Sequence, residues 1–76
     1  MRIFYDAEVD ALYIEFHSVA PGTVEARPLS DEVIANYGPG DKLVGLEILD
    51  ASQVLGHPES RLILEIAPAQ VMPVLV

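Results

Sequence analysis

The chain has 76 residues, 51% of them apolar, with 4 Lys plus Arg set against 12 Asp plus Glu for a net charge of −8. That length admits one small domain, residues 1–76, and the apolar content excludes a disordered acidic tail. The negative charge speaks against nucleic acid, which needs Lys and Arg to neutralise phosphates, and against anionic membranes; it favours a basic protein partner.

The first segment, Arg2 to Tyr5, is short and aromatic. A polar connection of hairpin length, Asp6 to Asp10, separates it from Ala11 to His17. There the alternation is clear, with Leu12, Ile14 and Phe16 on one side and Tyr13, Glu15 and His17 on the other. Pro21-Gly22 is a turn signal. Thr23 to Leu29 then reads as a strand, and Pro28 marks an edge or an end. After Ser30-Asp31, Glu32 to Tyr37 forms the next strand, and Gly38-Pro39-Gly40-Asp41 turns the chain again. Lys42 to Leu49 carries apolar residues on both faces, the pattern of a central strand. Gly45 within it suggests a bulge or the close approach of a neighbour.

The period then changes. Asp50-Ala51-Ser52-Gln53 reads as a capping box, Asp50 at the N-cap and Gln53 at N3, opening one or two helical turns before Gly56. Arg61 to Ile66 returns to alternation, with Leu62, Leu64 and Ile66 on one face. The tail, residues 66–76, carries no charge after Glu65, and Pro68 and Pro73 interrupt it. The fold expected is mainly β, on the border of α+β. It is a single antiparallel sheet of five to six meandering strands with one short helix near residues 50–56.

The strings YDAEVDALYIEF and LVGLEILDAS resemble a small bacterial family of uncharacterised proteins, catalogued as domain of unknown function 2283. Its pattern is Tyr-Asp, a few residues, Asp-Ala-Leu-Tyr-Ile, then a strand reading Val-Gly-Ile-Glu-Ile-Leu-Asp-Ala-Ser. The matching positions here are Tyr5, Asp6, Asp10, Ala11, Leu12, Tyr13 and Ile14, then Val44 through Ser52, with Leu46 in place of Ile. The resemblance spans about residues 1 to 66. It implies an antiparallel sheet with a short helix and no established activity or catalytic residue. Some similar members lie beside small toxin genes, which implies an antitoxin-like role.

The chain has no Cys, so no disulfide or thiolate ligand is available, and neither cofactor nor metal is expected. Burial of apolar surface contributes about 110 kcal/mol by area scaling, against about 114 kcal/mol for ordering the chain. So even a balance points to oligomerisation, with a homodimer expected. The N-terminal MRIFYDAEVD has no apolar leader segment. The uncharged run from Ile66 to Val76 is too short and broken to span a bilayer. The cytoplasm is the expected compartment.

Candidate chemistry is sparse. Asp6, Glu8 and Asp10 have the first spacings of a calcium loop, but Ala11 and His17 stand where it needs Gly and Glu. They read instead as a hairpin turn with Asp side chains accepting backbone N–H groups. Glu15 and Glu47 are expected to share a sheet face, solvated or paired with Arg2, Arg27 or Arg61. Asp50, Ser52 and His17 or His57 are the residue types of a hydrolytic triad, without a nucleophile-elbow pattern. Tyr5, Tyr13 and Tyr37 are expected to cluster on one face as packing or as a contact patch.

The leading function is a non-enzymatic protein-binding or accessory module. Its acidic contacts would be Glu15, Glu25, Glu47 and Glu65, its aromatic contact Tyr13, and its apolar contacts Val71, Val74 and Leu75. The alternatives are a structural homo-oligomer without ligand, or a small acid/base enzyme using Glu47 with His17 or Tyr13 at a dimer interface.

Overall fold

A computed structural model describes residues 1–57 and 61–67. Five strands form one antiparallel sheet: β1 (Arg2–Asp6), β2 (Ala11–Glu15), β3 (Glu25–Pro28), β4 (Val33–Gly38) and β5 (Lys42–Ile48). A 3-10 turn, Pro39–Asp41, joins β4 to β5, and one short helix follows, α1 (Ala51–Val54). This is the mainly β architecture that the alternation predicts.

The order across the sheet is β1-β2-β5-β4-β3. Two consecutive units, the β1–β2 hairpin and the β3–β4–β5 meander, are joined where β2 pairs with β5. β5 is therefore central, as its two apolar faces require. The last two elements of the meander are offset: Asn36 faces Gly45 and Tyr37 faces Leu43, leaving Val44 as the extra residue. Its carbonyl accepts the N–H groups of both Phe16 and His17, and its side chain is fully buried.

One face of the sheet carries Tyr5, Leu12, Ile14 and Ile48. Ala51 of α1 packs there against Leu12 and Ile48, with Tyr5 and Ile14 alongside. Pairing places Tyr5 opposite Leu12 and Leu12 opposite Ile48, so three strands contribute to one row. The other face carries Phe4, Tyr13, Glu15, Gly45 and Glu47, by the period of two. Gly45 is required there. A Cβ on it would lie 2.6 Å from the Tyr13 hydroxyl and 2.8 Å from the Ile14 carbonyl. The close approach read from Gly45 is thus a tyrosine laid across the central strand.

Residues 61–67 correct one expectation. They form no strand, and Leu62, Ile63, Leu64 and Ile66 are all exposed. Alternation makes a strand only where a partner supplies the ladder, and no described strand pairs with this segment. The contacts expected of Val71, Val74 and Leu75 lie outside the described residues.

Candidate functional site

The β1–β2 turn and α1 meet through one side chain. Asp10 closes the turn with a left-handed backbone, φ 53°. Its Oδ1 accepts the Tyr5 hydroxyl at 2.6 Å and the Ser52 N–H at 3.0 Å. Its Oδ2 accepts the Ser52 hydroxyl at 2.7 Å. Its backbone carbonyl accepts the Ala51 N–H at 2.9 Å. Hydrogen bonds from Tyr5 first, then Ser52, hold the carboxyl below the usual carboxylate range, against an opposing effect of burial.

Asp10 therefore caps α1 from 42 residues away in sequence. This replaces the box expected of Asp50 and Gln53. Asp50 does occupy the N-cap position, but its backbone is left-handed (φ 54°, ψ 43°) and its side chain makes no cap hydrogen bond. A residue at the N-cap position itself needs extended backbone to aim its side chain at the first-turn N–H groups. Asp50 contributes only its carbonyl, which accepts from Gln53 and Val54.

The same geometry answers two other readings. Ser52 donates directly to a carboxylate, with no imidazole between them, so the residue types of a triad are present without its relay. In the turn, Asp6 accepts the Glu8 N–H at 3.0 Å, while Asp10 faces Tyr5 and Ser52. Among the described residues no group of three acidic, His or Cys side chains is placed to hold a metal ion.

The three tyrosines do not cluster. Tyr5 lies on the helix face and bonds Asp10. Tyr13 takes the opposite face, because it stands opposite Phe4 and one residue beyond Leu12. Tyr37 lies at the far side of the sheet, opposite Glu25, beneath the Arg27 guanidinium at 4.3 Å. Glu25 and Asp41 both bond that guanidinium, at 3.2 and 2.7 Å, and raise its pKa.

The acidic residues named from the sequence also separate. Glu15 and Glu47 share the face opposite α1, as expected, standing opposite Gly45 and Tyr13. Glu15 pairs with Arg2 at 3.3 Å. Glu25 is on the outer strand β3, occupied by Arg27, and Glu65 lies in the irregular segment. What the structure does assemble is a cleft of about 320 Å³ on the Tyr13 face, lined by Phe4, Asp6, Val9, Ala11, Leu12, Tyr13 and Glu47. It has an apolar wall and two carboxylates, and among the described residues no cationic side chain lines it. Tyr13 and Glu47 are cross-strand neighbours within it. His17 is exposed beyond the end of β2 and takes no part. Phe4 and Val9 were missed from the sequence, and their signal was slight: one apolar residue in an acidic turn and one on the outward face of an edge strand.

Among the described residues no helix is long and apolar enough to cross a membrane. No curated protein and no solved structure matches the chain. A family model does match over residues 2–52, which takes in all five strands, Asp10 and Ser52. The chain belongs to the family described as Protein of unknown function (DUF2283).

Proposed function

We propose that the protein is a non-enzymatic binding module whose cleft on the Tyr13 face takes a basic segment of a partner protein. The observation that carries this reading is the lining: the carboxylates of Glu47 and Asp6 set among Phe4, Val9 and Tyr13. An Arg or Lys side chain fits both halves, its stem on the apolar wall and its charge at Glu47. The net charge of −8 steers such a partner toward the surface. Of the two partners that acid/base chemistry would give Glu47, Tyr13 stands beside it and His17 does not line the cleft; the mostly apolar lining favours binding. An antitoxin-like role, with a small basic toxin as the partner, is the particular form that the family resemblance implies.

The test is a titration with a short peptide alternating Arg and Leu, followed by backbone amide NMR. Shifts are expected at Ala11, Tyr13 and Glu47, fading as salt is added. Glu47→Lys should weaken binding about tenfold or more. Shifts elsewhere, or equal binding of a Glu-Leu peptide, would overturn the reading.

A further inference from the structure

The sheet has two edges of different character. The β3 edge carries Glu25, Arg27 and Pro28, charges and a residue without an N–H, which discourage strand addition. The β1 edge, Arg2–Asp6, has no proline, and its Ile3 and Phe4 are 41% and 53% exposed. Among the described residues there is also an exposed apolar segment of matching length, Arg61-Leu62-Ile63-Leu64-Glu65. Leu62, Ile63 and Leu64 are 63%, 61% and 74% exposed.

Laid antiparallel, the two strings complement each other at every position. Arg2 stands opposite Glu65 and Asp6 opposite Arg61, with Ile3, Phe4 and Tyr5 opposite Leu64, Ile63 and Leu62. The ion pairs and the Phe4–Ile63 pair fall on the cleft face, and the other two apolar pairs on the helix face. A parallel arrangement sets Arg2 against Arg61 and Asp6 against Glu65. A shift of two residues either way breaks both ion pairs. Opposite charges directly across a ladder are favourable and like charges unfavourable, so one register is selected.

We infer that β1 is an interaction surface for residues 61–65 of a second copy of this chain, which add to it as an antiparallel sixth strand. The second copy is the occupant because, among the described residues, no strand lies beside β1 beyond β2, Ile3 and Phe4 on it are exposed, and residues 61–67 form no strand. Two copies exchange the segment reciprocally, giving a closed dimer with the same contact made twice. Arg2, already bonded to Glu15 and 66% exposed at its side chain, then lies between two carboxylates. The inference does not depend on the cleft's taking a basic partner.

Cross-linking tests the pairing, since the natural chain has no Cys. Phe4→Cys chains are mixed with Ile63→Cys chains under mild oxidation, and the products are weighed intact. A disulfide-linked dimer with one chain of each kind is expected, several-fold above the yield from Ala26→Cys mixed with Ile63→Cys. Equal yields, or no mixed dimer, would overturn the inference. So would a chain carrying both F4C and I63C that closes on itself as a monomer. Light scattering on the double variant R61E/E65R should show dimerisation weakened about tenfold or more. Both sites are exposed and outside the strands, so an unchanged dimer there also counts against it.

Discussion

Asp10 and Asp50 have nearly the same backbone, φ 53° and 54°, and lie at the same end of α1. Asp10 accepts three side-chain hydrogen bonds and ties the β1–β2 turn to the helix. Asp50, next to the helix in sequence, makes no side-chain cap bond. The same left-handed backbone has different consequences because Asp50 is itself the N-cap residue, whereas Asp10 reaches the helix from the β1–β2 turn. A helix of four residues has no stability of its own. Its position is set by the residue that anchors it, and that residue belongs to another element.

The contrast is broken most severely at Asp10. Asp10→Ala removes the acceptor of three hydrogen bonds, from the Tyr5 hydroxyl and the Ser52 N–H and hydroxyl, and should lower the thermal midpoint by on the order of 10 °C. Hydrogen exchange at Ala51 and Ser52 should rise to the rate of unstructured amides. Tyr5→Phe, which removes one hydrogen bond to a charged group, should cost about 1.5–3 kcal/mol in urea unfolding.

Acid sharpens the comparison. The native carboxyl of Asp10 titrates below its ordinary value of 3.8, so its stabilisation is complete above that pH and is lost as pH falls from there through the depressed native value. Midpoints recorded from pH 6 downward should fall below about pH 4 in the natural protein. The fall should be shallower in Asp10→Asn. The smallest effect has the opposite sign: Asp50→Gly relieves a left-handed backbone without losing a cap and should change stability by no more than about 1 kcal/mol, toward greater stability. A loss of stability in Asp50→Gly as large as that in Asp10→Ala would show that the carboxylate of Asp50 acts at the helix after all.

The strands were legible because alternation and turn residues are local. Leu12 and Ile14 announce β2, and Gly38-Pro39-Gly40 announces the turn into β5. The helix was legible as a change of period at Asp50, but not its cap. A cap is read from neighbours in sequence, and this one arrives from Asp10. The tyrosines misled for the same reason: Tyr5 and Tyr13 look alike in sequence, and only the β1–β2 register, with Tyr5 opposite Leu12 and Phe4 opposite Tyr13, sends them to different faces. Residues 61–66 alternate as cleanly as β2 does, yet alternation records what a segment can pair with and not whether the partner is in the same chain. Glu47 was legible as part of the candidate site, whereas the cleft around it depends on Phe4 and Val9 converging from two elements.

The tyrosine lying over Gly45 also guards alignment. If β2 slid along β5 by two residues, the faces would still match and the hydrophobic pattern would raise no objection. In one direction, however, the Tyr13 ring would then meet Glu47, whose side chain fills the space that glycine leaves empty, and in the other it would run into the bulge at Val44. One bare position on the central strand thus acts as a keyhole, admitting the hairpin in a single alignment and rejecting its nearest impostors.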